Sequence, residues 1–196
     1  MSEPIGSADE LPFPLRGTTL VTGPSNAGKT RLTARALDAW VADRGAEGVV
    51  VLEFAPEIER DGVLLGGRLD RFVEVPDVAF HGILDAHAPR AAASDETEAR
   101  ELAADNAERA RSILDAAPEA PGAVFVNDAT IPFQHEAGDL DRLRSYCGDA
   151  DIAVLNAFES DELGAEHPVT RRERNALDGL QDCADRHVGL DADGSE

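Results

Sequence analysis

The sequence predicts an α/β fold, a parallel β-sheet with helices on both faces. Three observations predict it. Uninterrupted apolar runs recur at Val49–Leu52, Ala123–Val126 and Ile152–Leu155, the pattern of strands buried on both sides. Segments with apolar residues at helical spacing separate them, and parallel neighbours need such crossovers. With 196 residues and 42% hydrophobic content, the chain can bury one sizeable core and is too short for two ordinary domains. The expected organisation is an N-terminal extension over 1–14, one domain over 15–191 and a mobile tail over 192–196.

Thr18–Thr22 form a β-rich run that ends at Gly23, and Leu32, Ala36, Leu37, Trp40 and Val41 repeat at helical spacing after Gly28. Arg44, Gly45 and Gly48 close that helix, and the second strand, Val49–Leu52, ends at Glu53. A weaker third strand is expected over Arg71–Val75. From Ser94 a long helix follows, with Asp95 and Glu98 at its acidic start and Ala103, Ala107, Ala110 and Leu114 along one face. Pro118, Pro121 and Gly122 break it, and the strand Ala123–Val126 ends at Asn127 and Asp128. Residues 139–146 read as helix, and Ile152–Leu155 as a buried strand ending at Asn156. Thr170 and Glu173 have the spacing of a capping box, ahead of a buried face of Ala176, Leu177, Leu180 and Cys183. Arg186–Leu190 is the last expected strand.

Gly23, Pro24, Ser25, Asn26, Ala27, Gly28, Lys29 and Thr30 fit the pattern G-x-x-x-x-G-K-[ST]. The glycines let the backbone bend around an anion. Successive N–H groups and the start of the next helix then face phosphates, the lysine adds a point charge, and the threonine hydroxyl ligates magnesium. Four specified positions arise by accident in a chain of this size with a probability of roughly one in a hundred, and the strand-to-helix setting lowers that. Seventeen of the eighteen basic residues are arginine, so Lys29 is the only lysine. It marks a position where a planar guanidinium fork would not serve.

Leu15, Arg16 and Gly17 leading into the first strand, the glycine loop, and the run from Val49 through Glu53 to Glu57 together resemble the RecA/KaiC-like ATPases. The resemblance implies a P-loop NTPase (RecA-like) fold, with ATP and Mg2+ as cofactors and Lys29 on the phosphates. It makes Glu53 the base that activates the attacking water, with Glu57 an alternative in reach. Val124–Asp128 looks like that superfamily's Walker B strand, which implies that Asp128 helps Thr30 hold magnesium; a turn or helix-cap aspartate is the other reading of Asp128. Ala184–Leu190 is similar to its closing strand. Asn156 either senses the γ-phosphate or the base, or forms a turn. Arg171, Arg172 and Arg174 are candidates for a finger into a neighbouring subunit of a homo-oligomer, or a solvated helix face. The resemblance covers most of the chain in order, and the phosphate loop is its specific part.

The formal charge is −21, from 39 acidic against 18 basic residues. Disorder fits only the ends, because apolar segments recur throughout. A salt-rich cytoplasm accounts for the rest, since concentrated salt screens carboxylate repulsion to within a few Å. The inference is a halophilic archaeal source, with an acidic mesophilic protein as the alternative. No stretch approaches the ~18 apolar residues of a membrane span, so a cytoplasmic protein without a membrane partner is expected. Residues 129–139 contain no lysine or arginine and the chain lacks a basic patch, so no nucleic acid partner is expected. The guanine-reading Asn-Lys-x-Asp pattern is absent, which favours adenine. His135, Glu136 and His167 match no metal spacing, and Cys147 and Cys183 read as small core residues. An ATPase, completed by a partner or a subunit contact, leads. A small-molecule kinase, with Arg60, Arg68, Arg71 and Arg90 in a lid, and a regulatory protein that senses ATP without hydrolysing it are the alternatives.

Overall fold

The computed structural model describes residues 11–60, 63–65, 67–159 and 167–191. The expected tail over 192–196 and residues 1–10 of the expected extension lie outside these. The chain runs β1 (Gly17–Gly23), α1 (Lys29–Arg44), β2 (Val49–Glu53), an antiparallel pair β3 (Ile58–Arg60) and β4 (Val63–Leu65), β5 (Phe80–Ile83) and α2 (Pro89–Ala92). It continues through α3 (Glu96–Ala116), β6 (Ala123–Asn127), α4 (Leu140–Gly148), β7 (Ile152–Phe158), α5 (Pro168–Cys183) and β8 (Arg186–Gly189). Six strands form one sheet in the order β5-β2-β6-β7-β1-β8, and every pairing in it is parallel.

The apolar runs bury both faces, as their continuity requires. Leu20, Val50, Leu52, Val124, Val126 and Leu155 pack with Leu114 of α3, Leu143 and Cys147 of α4, and Leu177 and Leu180 of α5. Their neighbours along each strand, Val21, Val49, Val51, Phe125 and Val154, pack on the other face with Leu32, Leu37 and Trp40 of α1 and with Phe13. Phe13, within the expected extension, packs in this core. Each such side chain, fully buried, contributes about 1.5–3 kcal/mol.

The connection from β1 to β2 crosses the sheet one way, and those from β5 to β6, β6 to β7 and β7 to β8 cross it the other way. Right-handed crossovers then put α1 on one face and α3, α4 and α5 on the other. Adjacent strands β1 and β7 thus send the chain to opposite faces, which opens a crevice beyond their carboxyl ends.

Two expected elements differ. The third strand of the six-stranded sheet is β5, not 71–75. Leu69–Arg71 is a single 3-10 turn, closed by the Phe72 and Val73 amides on the Leu69 carbonyl at 2.9 and 3.1 Å. Gly82 hides β5 from a search for apolar runs, yet packing demands it: a Cβ there would collide with Ile113 Cγ2 of α3. The capping box at Thr170 does not form either. Pro168 starts α5 three residues earlier, His167 Nδ1 accepts from the Val169 amide at 3.2 Å, and Thr170 and Glu173 are buried inside the helix. No helix among the described residues is long and apolar enough to cross a membrane.

Candidate functional site

β1 ends at Gly23, where any Cβ would collide with the Leu190 carbonyl beyond β8. The loop that follows turns through Asn26 (φ 64°) and Gly28 (φ 88°), both left-handed, into α1. No side chain caps α1 and no acid lies in its first turn. Among the described residues its first N–H groups and the positive end of its dipole therefore have no side-chain partner.

This N-terminus opens onto a cleft of about 510 Å³, within the range of small-molecule sites. Ser25, Asn26, Gly28, Lys29, Thr30 and Arg31 form one wall; Ala55, Gly67, Arg71 and Phe72 form another; Asp128, Asn156 and Phe158 lie at the strand ends between them. Lys29 is buried, its ammonium donates to the Pro24 carbonyl at 2.6 Å, and it sits 5.8 Å over the Phe158 ring. Burial lowers its pKa, and the Asp128 charge works against that shift. Arg31 stacks 5.7 Å from Phe72, an exposed aromatic on the opposite wall.

Asp128 follows β6 in a left-handed conformation (φ 56°), its amide donating to Asn156 Oδ1 at 3.0 Å. Burial raises its pKa to about 6, with Lys29 opposing, Glu173 adding to the rise, Arg90 opposing and Glu53 adding to it. Lys29, Thr30 and Asp128 are therefore brought together, as the sequence suggested.

Glu53 is not. It is fully buried at the end of β2 and is absent from the described lining of the cleft. Its Oε1 accepts the Leu69 amide at 2.6 Å and its Oε2 accepts Asn127 Nδ2 at 2.9 Å. The reason is topological: β6 and β7 stand between β2 and β1, so Asn127 and the backbone around Leu69 cover the carboxylate. Glu57 pairs with Arg71 at 2.9 Å and Arg68 at 3.3 Å. Arg90 pairs with Glu173, and neither is among the described lining residues of the cleft. Arg171, Arg172 and Arg174 are not among the described lining residues, and Arg172 pairs with Glu136 at 2.7 Å. Among the described residues no cluster of histidine, cysteine, aspartate or glutamate is arranged to hold a metal by itself. His135 Nδ1 accepts the Ala137 amide at 3.1 Å, and Cys147 is buried, its thiol pKa pushed up by desolvation.

Sequence reasoning passed over Asn127, which Thr30 meets: the threonine hydroxyl donates to Asn127 Oδ1 at 3.2 Å. Its only signal was its place at the end of an apolar strand, and an amide does not stand out there as an acid does. Phe72 and Phe158 carried no signal beyond being aromatic.

Fold and site together define an α/β protein with a polar cleft at the carboxyl ends of its central strands. Chemically, the cleft offers N–H groups, an ammonium and a guanidinium to an anion, and a hydroxyl and a carboxylate to a cation. No family model matches the chain, and no curated protein matches it.

Proposed function

We propose that this chain is a P-loop protein of the RecA/KaiC-like type that binds ATP with magnesium in the cleft. One observation carries the reading: the only lysine stands in the first turn of an uncapped helix, behind a glycine loop on a central strand. That arrangement suits a polyphosphate, held by backbone N–H groups and one ammonium.

The residues also suit magnesium. The Thr30 hydroxyl spends its proton on Asn127 and keeps its lone pairs for a cation, and the Asp128 carboxylate lines the same cleft. The ion, when bound, neutralises phosphate charge. Lys29 would leave the Pro24 carbonyl for phosphate oxygens. Arg31 adds positive charge, and the apolar faces of Phe72 and Phe158 limit water. Adenine is the proposed base, the acidic surface supports a halophilic archaeal source, and neither nucleic acid nor membrane is a proposed partner.

Hydrolysis needs a base beside the terminal phosphate. The two donors that occupy Glu53 favour a second reading, in which ATP is sensed with little or no turnover. The kinase reading has weaker support, because Arg71 is the one member of its lid among the described lining residues, the Arg60 side chain lying outside them, and Glu57 already neutralises Arg71.

Binding of ATP and phosphate release, measured in concentrated potassium chloride for wild type, Lys29→Ala and Glu53→Gln, test this. ATP binding that Lys29→Ala removes supports the site. Release that Glu53→Gln abolishes supports the ATPase, and binding without release supports the sensor. Wild-type protein with no millimolar affinity for ATP and magnesium contradicts both.

A further inference from the structure

Asn127 is 1% exposed and makes four hydrogen bonds that fix which end of its amide points where. Oδ1 accepts from Thr30 Oγ1 at 3.2 Å and from Asn156 Nδ2 at 3.0 Å. Nδ2 donates to Glu53 Oε2 at 2.9 Å and to the Gly67 carbonyl at 2.7 Å. Glu53 in turn holds the Leu69 amide. The two partners of Nδ2 are acceptors only, so an acid at 127 would set two carboxylates against each other and orphan the Gly67 carbonyl. The amide at 127 and the acid at 53 are thus a matched pair. They join the first turn of α1 to the segment 67–72, which supplies Arg71 and Phe72 to the opposite wall.

We propose that Asn127 is a positioning residue that couples the Thr30 hydroxyl to the 67–72 wall, with Glu53 as its fixed anchor. The coupling lets events at Thr30 order that wall. With the reading above, on which this part rests, magnesium and ATP at Thr30 tighten the wall that carries Arg71 and Phe72. Glu53 then transmits the bound state and does not activate water.

Backbone hydrogen exchange over residues 67–73 tests the coupling with and without ligand. Without nucleotide, Thr30→Val should speed exchange of the Leu69 amide about fivefold, roughly the worth of one hydrogen bond. The same change in an Asn127→Ala background should add nothing. Additive effects overturn the coupling, whether or not the cleft binds ATP. With magnesium and ATP, wild type should slow exchange over 67–73 about tenfold or more. Asn127→Asp should lose that protection, and Glu53→Gln with Asn127→Asp, which exchanges acid and amide, should recover part of it, because the swap repairs the contact between 53 and 127 while the Gly67 carbonyl stays without its donor. Protection that survives Asn127→Asp, or a double variant no better than the single one, contradicts the matched pair. If Asn127→Asp does not fold, the double variant still decides: it should fold and partly protect the wall, and failure to do so overturns the proposal. A wild type that does not bind ATP removes the nucleotide reading and leaves the ligand-free comparison to judge Asn127.

Discussion

Asp128 is held where its charge costs stability. Its pKa of about 6 in the folded chain lies above the ordinary value of 3.8. Between those values the folded state keeps a proton that the unfolded chain has lost. Stability therefore falls as pH rises through about 4–6 and stays lower above that window. Asp128→Asn should be more stable than wild type at pH 7.5, by about 1–2 kcal/mol once its partial exposure is allowed for. Denaturant midpoints should show the gap closing near pH 4, and a gap that does not change with pH would contradict the assignment. The same substitution should weaken the proposed magnesium-dependent ATP binding. Lys29 and its loop were legible in the sequence because a fixed spacing of glycine, lysine and threonine has few other uses. Glu53 was not, because a strand-end acid looks the same whether it faces a cleft or, as here, two donors from neighbouring segments. Asn127 was less visible still, since its role depends on the acid at 53, far away in sequence.

Elements pack according to residues that pattern alone does not reveal. α2 and α5 are tied by Arg90 and the buried carboxylate of Glu173, which also accepts the Thr130 hydroxyl at 3.3 Å. Arg90→Ala strands that carboxylate, and unfolding should become easier by about 3 kcal/mol, the low end for breaking a buried pair, because Arg90 is 28% exposed. Replacing both with apolar residues of similar volume should restore most of the loss in a denaturant titration. At the other edge of the sheet, Gly82→Val would push Ile113 and α3 away from β5 and cost about 1–3 kcal/mol; a neutral result would contradict the packing described. The central strands β2, β6 and β7 could be read in advance because burial on both faces leaves continuous apolar runs. The edge strand β5 is half covered and interrupted by Gly82, so the signal drifted to the more apolar segment 71–75. The start of α5 was misplaced because Thr170 and Glu173 imitate a cap, while Pro168 and His167 set the true one.

Across the whole molecule, acidic residues outnumber basic ones by 39 to 18, and ion pairs such as Arg172 with Glu136 neutralise little of that excess. Screening shortens from about 10 Å at 0.1 M salt to about 3 Å at 1 M. The thermal midpoint should therefore rise steadily as potassium chloride increases from 0.1 to 3 M; a flat or falling midpoint would remove the salt-adapted reading. The acidic excess also sets off the cleft, where Lys29 and Arg31 line one wall within a surface that otherwise repels anions. The topology supports the same place: β1 and β7 part toward opposite faces where the glycine loop begins. The most direct test is the affinity of the chain for ATP with magnesium in concentrated potassium chloride, titrated for wild type and Lys29→Ala. Wild type should bind saturably, with affinity weakened roughly tenfold to a hundredfold in Lys29→Ala, the worth of a charged hydrogen bond, while both proteins remain folded. Equal binding by the two proteins, or none by wild type at millimolar ATP, would contradict the proposed site.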